Sequence, residues 1–185
     1  MFFSTYQHLI YLDSIKYGLW DCVENAPIFF DDPKFHNLKI QDSCIKVLSP
    51  KEVMKYKIGT CYETALLNYF TLKEYNPKVF YIDVNYERAG EDVFRTHLGT
   101  YIEFDSYYWW IESSWYIYRG LHGPYKEPDE IFDTLVALYK NTFKSDDLFL
   151  NKDFNADSIL STKIVHPSNI IEEGHCRSND YIGRT

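Results

Sequence analysis

Lys57-Ile58-Gly59-Thr60-Cys61-Tyr62-Glu63-Thr64-Ala65-Leu66-Leu67-Asn68-Tyr69-Phe70 reads as the opening of a buried helix that carries a cysteine at its first position. Thr60 suits an N-cap and Glu63 stands three residues later, so the two fit a capping box. Cys61 is then the first helical residue, where backbone N–H groups lack partners and the helix dipole favours a thiolate over a thiol. Ala65, Leu66, Tyr69, Phe70 and Leu72 recur at helical spacing, and Asn76-Pro77 ends the segment. The spacing predicts an internal helix with its first turn facing a cleft. A cysteine in such a place also serves as a small core residue, so Cys61 needs a partner histidine before it counts as a nucleophile.

The histidine comes from a hairpin downstream. Residues 79–84 are rich in β-formers and read as a strand, followed by a polar loop over 85–92. Over 94–104, Phe94, Thr96, Leu98, Ile102 and Phe104 alternate with Arg95, His97, Gly99, Tyr101 and Glu103. Asp105-Ser106 is the natural two-residue turn, and 107–115 is the returning strand. That turn places His97 opposite Ser114 and Gly99 opposite Glu112, so His97 and Glu112 become diagonal neighbours on one face, with backbones roughly 7–8 Å apart. An imidazole and a glutamate close that gap with a hydrogen bond, and Gly99 clears space between them. A three-residue turn would put the two side chains on opposite faces.

Cys61, His97 and Glu112 thus supply a nucleophile, a general base and an acid that orients the base, in that chain order. The Cys61 amide would hold the oxyanion together with one further donor, for which Tyr17 and Trp20 are the upstream candidates. The competing assignment makes His97 a structural histidine and pairs Glu112 with Arg95 or Arg119.

Gly59-Thr60-Cys61-Tyr62-Glu63-Thr64-Ala65, then Thr96-His97-Leu98, then Trp109-Trp110-Ile111-Glu112-Ser113-Ser114-Trp115 resemble the three motifs of the transglutaminase-like branch of the papain-like cysteine enzymes. The resemblance covers residues 50–120, and Glu112 stands where aspartate is more usual. It implies an α+β papain-like fold, with a central Cys-bearing helix packed on an antiparallel β-sheet of three or more strands and flanking helices. It also implies a thiol enzyme acting on an amide or acyl bond of a peptide or protein through a Cys61 thioester. Protease, amidase or deamidase, transglutaminase and acyltransferase share that first half-reaction. The alternative is a catalytically inactive member of the fold that binds a peptide or partner protein. Thr60, Tyr62 and Trp110, with Tyr17 and Trp20, are the expected cleft residues.

Length and composition set the frame. At 185 residues the chain suits one domain over 1–170 with a loose tail over 171–185, and 45% hydrophobic with 18% aromatic residues marks a globular core. The net charge of −8, with no Lys/Arg cluster, argues against nucleic acid and anionic membrane as partners. No apolar run is long enough to span a bilayer, and the polar interruptions over 1–12 do not suit a signal peptide, so a cytoplasmic protein is expected. Cys22, Cys44, Cys61 and Cys176 are widely spaced without a C-x-x-C, and reduced thiols are the default. His175-Cys176 lacks further ligands, so neither metal nor cofactor is expected. Nothing in the sequence indicates an oligomeric state.

The remaining segments read as follows. Residues 4–20 suggest a helix ending near Gly18, with short strands at 28–30 and 44–48. Ser49-Pro50-Lys51-Glu52 opens a short helix to about Tyr56. Arg119–Pro124 reads as a loop that includes His122, residues 128–140 as an amphipathic helix on Ile131, Phe132, Leu135, Val136 and Leu138, and 158–165 as an edge strand.

Overall fold

A computed structural model describes residues 14–37, 45–88, 91–145, 148–151 and 175–177. In chain order the elements are β1 (Lys16–Asp21), β2 (Ala26–Phe29), α1 (Pro33–Asn37), β3 (Ile45–Val47), α2 (Pro50–Tyr56), β4 (Ile58–Gly59), α3 (Cys61–Thr71), a 3-10 turn (Lys73–Tyr75), β5 (Lys78–Arg88), β6 (Glu91–Phe104), β7 (Tyr107–Glu112), β8 (Gly120–Tyr125), α4 (Pro128–Phe143), β9 (Leu148–Asn151) and β10 (His175–Arg177). They build an α+β architecture with two five-stranded sheets. One runs β10-β3-β1-β2 with β4 added to β1, and the other β8-β7-β6-β5-β9. Every pairing is antiparallel except β1 with β4.

The second sheet is the hairpin sheet, and its register is the expected one. Asp105 and Ser106 both take positive φ, 55° and 62°, which makes a type I′ turn whose twist suits the flanking strands. Thr100 faces Ile111 and Phe104 faces Tyr107 across it. Helices cover both sides. Leu98, Thr100, Ile102 and Ile111 lie against α3, where the Thr100 hydroxyl donates to the Ala65 carbonyl at 3.4 Å. Phe80, Ile82, Tyr101 and Trp110 lie against Ile131, Phe132, Leu135 and Tyr139 of α4. A sheet sandwiched in this way buries both faces, which is why its strands are apolar at successive positions.

α2 and α3 start as the caps dictate. The Glu52 amide donates to the Ser49 hydroxyl, and the Glu52 carboxylate accepts from the Ser49 amide at 2.9 Å. At α3 the Glu63 carboxylate accepts from the Thr60 amide at 3.0 Å and also from the Thr60 hydroxyl. The middle of α3 is buried around most of its circumference: Glu63, Thr64, Ala65, Leu66, Leu67 and Asn68 are all inside.

Several expectations are corrected. Residues 16–21 form a strand instead of the end of a helix, and residues 4–13 lie outside the described residues. Gly18 fits a crowded sheet centre, where a Cβ would come within 2.5 Å of the Ile28 carbonyl oxygen and 2.7 Å of Ile58 Cδ1. The short strands expected at 28–30 and 44–48 appear as β2 and β3, but their assembly with β1, β4 and β10 was not foreseen, because β3, β4 and β10 find their partners over long sequence separations. β5 and β6 extend through most of the expected 85–92 loop. The expected loop over Arg119–Pro124 is the edge strand β8, an outer position where proline removes no ladder hydrogen bond the sheet requires. Within the tail, His175–Arg177 pairs with β3 and is not loose. Cys22 is disulfide-bonded while Cys61 is free, so the default of reduced thiols fails at Cys22. The strand expected over 158–165 lies outside the described residues.

Candidate active site

The site assembles from three elements. α3 places Cys61 at its first position, β6 contributes His97, and β7 ends on Glu112. His97 Nε2 lies 2.8 Å from Glu112 Oε2, and the imidazole also hydrogen-bonds the Cys61 side chain. With Nε2 engaged by the carboxylate, Nδ1 is the nitrogen left for the sulfur. His97 is only 14% exposed and Glu112 1%.

Burying a carboxylate is costly unless its lone pairs are filled, and here they are. Glu112 Oε1 accepts from the Ser114 amide at 2.9 Å, the Ser114 hydroxyl at 3.2 Å and the Trp115 amide at 2.8 Å. Burial pushes the Glu112 carboxyl up. The neighbouring His97 charge, the His97 hydrogen bond and the two amides outweigh burial and hold it below the usual carboxylate range. Burial likewise pushes His97 down, but the Glu112 charge, the hydrogen bonds to Cys61 and Glu112 and the Cys61 charge raise it to about 10. His97 therefore carries its proton at neutral pH.

The surroundings fix this geometry. The imidazole contacts Trp115 and Tyr139, with ring centroids at 5.8 Å and 5.9 Å, and those two rings meet edge to face at 4.6 Å. The buried Asn68 amide donates to the Ser113 hydroxyl at 2.9 Å, tying the helix that carries the thiol to the segment that carries the acid. Gly99 does not leave open space between His97 and Glu112 as expected. Phe80, directly opposite on β5, fills it, and a Cβ at residue 99 would lie 2.3 Å from Phe80 Cζ.

The other expected cleft residues fall in different places. Thr60 caps α3, and Tyr62 packs half-buried beside Ala65, Val79 and Leu98. Tyr17 pairs with Gly59, two residues before Cys61, and its ring meets Phe30 and Phe35. Trp20 is buried in the core next to Tyr56, with its indole N–H donating to Asn25 Oδ1 at 3.3 Å. Trp110 is fully buried and stacks on His122 with centroids 4.2 Å apart. Glu112 forms its ion pair with His97, and the side chain of Arg95 lies outside the described residues. Among the described residues no cluster of His, Cys, Asp or Glu is arranged to hold a metal ion.

Sequence reasoning missed Ser114, Trp115 and Tyr139 as parts of the site. Tyr139 had a legible signal, since it follows Leu135 by four residues and Phe132 by seven on the buried stripe of α4. Compared against family models and curated proteins, the sequence matches none of them.

Proposed function

We propose that the protein is a transglutaminase-like thiol enzyme that acts on an amide or acyl bond. The observation that carries this reading is the largely buried imidazole of His97, held by Glu112 at 2.8 Å and raised in pKa by both Glu112 and Cys61. The sulfur of Cys61 attacks the carbonyl carbon, the carbonyl π electrons move onto oxygen, and the Cys61 amide at the start of α3 stabilises the oxyanion. Collapse forms the thioester and expels the amine, which leaves with the proton from His97. Water or an acceptor amine then attacks the thioester and gives its proton to His97, and the sulfur departs. Glu112 keeps the imidazole oriented and stabilises its charged form throughout.

A peptide or protein is the proposed substrate. Tyr116 and Ile117, exposed by 76% and 48%, directly follow the segment whose amides hold Glu112, and they offer exposed apolar surface on the chain leaving the site. No helix among the described residues is long and apolar enough to cross a membrane. The proposed cytoplasmic setting is at odds with a disulfide at Cys22, because disulfides persist where the surroundings are oxidising. Mass spectrometry of alkylated, non-reduced protein from cells reads the state of Cys22 and decides the compartment.

The enzyme reading is tested with iodoacetamide at mildly acidic pH. Cys61 is expected to react while ordinary thiols remain protonated and inert. A Cys61 that reacts no faster than the other cysteines of the fully reduced chain rejects catalysis and favours a binding module.

A further inference from the structure

Among the described residues, two tyrosine hydroxyls are buried without a hydrogen-bond partner, those of Tyr75 and Tyr139. A buried hydroxyl without a partner is destabilising, so each calls for an account. Their settings differ. Tyr75 is 6% exposed and packs against Phe104 in the core that α2 and α3 share with both sheets, with no ring contact to His97 or Trp115 among those described. Tyr139 is 2% exposed and its ring lies against the His97 imidazole and against Trp115, whose amide binds Glu112.

We propose that Tyr139 is a positioning residue of the active site, its ring holding the His97 imidazole and its hydroxyl acting as a fixed dipole that favours the charged Cys61–His97–Glu112 arrangement. The proposal rests on the thiol-enzyme reading of that triad. Burial first, and then the charges on Glu112 and Cys61, oppose ionisation of this phenol and raise it well above its ordinary value. It is therefore neutral at every working pH. With no acceptor claiming its hydrogen, the hydroxyl is oriented by the negative charge of the site. At a hydroxyl buried this deeply, such a dipole acts on neighbouring charge with less screening than at the surface. The molecule would then retain a stability cost at residue 139 because reactivity gains from it.

The test uses two isosteric variants of the whole chain, Tyr139→Phe and Tyr75→Phe, each of which removes only an unpartnered hydroxyl. Both are expected to keep or raise Tm. Tyr139→Phe alone is expected to slow Cys61 alkylation at mildly acidic pH by about threefold, moving its pH midpoint up by about half a unit. It should also shift the NMR titration of His97, while Tyr75→Phe leaves both unchanged. If Tyr139→Phe matches wild type in alkylation profile and His97 titration, the proposal is overturned although the thiol-enzyme reading survives. If wild-type Cys61 shows no enhanced reactivity, both fail together.

Discussion

His97 Nε2 sits 2.8 Å from Glu112 Oε2, just beyond the last paired residues of β6 and β7, Thr100 and Ile111. The contact is made by side chains that reach across the open end of a ladder. Its geometry depends on what walls it in, namely Trp115, Tyr139 and the amides of Ser114 and Trp115.

Removing the base tests the pair of Cys61 and His97 directly. His97→Ala is expected to lower the rate of Cys61 alkylation at neutral pH by about a hundredfold, and hydrolysis of a suitable amide or ester by at least as much. Cys61→Ser should abolish thioester formation in intact-mass measurements while leaving Tm close to wild type.

Glu112→Gln keeps the volume and removes the charge. The variant leaves a buried imidazole without its carboxylate, so His97 should titrate well below about 10, toward its ordinary 6.5. The loss of a buried charged partner is expected to destabilise the fold by about 3 kcal/mol in urea unfolding. An unchanged His97 titration would show that another group sets it.

Stability should depend on pH through both partners. The His97 value is raised in the folded protein, so its contribution is fully present below 6.5 and declines as pH rises from there to about 10. The Glu112 value is lowered, so its contribution is present above the ordinary 4.5 and is lost as pH falls below it. Denaturant midpoints for wild type minus His97→Gln should therefore show a plateau at intermediate pH and a fall on each side. A flat difference would contradict the charged pair.

Gly99→Ala would drive a methyl group into the Phe80 ring, which is packed by Phe132 and cannot retreat freely. Overpacking of this kind costs about 1–3 kcal/mol, and Phe80→Leu should recover part of it in the double variant. Additive losses would mean that the two residues do not share that space.

The hairpin turn can be improved without touching the site. Asp105 and Ser106 both occupy left-handed backbone, where Asn-Gly is preferred. Ser106→Gly is expected to raise stability by a few tenths to about 1 kcal/mol with the His97 titration unchanged.

By itself the sequence determined what depends on neighbours close along the chain. Thr60 and Glu63 mark where α3 begins and so make Cys61 its first residue, Ser49 and Pro50 start α2, and Asp105-Ser106 sets a register that puts His97 and Glu112 on one face. Caps, two-residue turns and alternation are local effects, each written within a few residues. Only the tertiary structure decided the rest. β1 became a strand because β3 and β4 pair with it from elsewhere in the chain, beside its hairpin neighbour β2; Phe80 took the room above Gly99, Trp20 and Trp110 went into the cores, and α4 brought Tyr139 to the imidazole. Those outcomes depend on which apolar surfaces meet across long sequence separations, and no local pattern of residues encodes that choice.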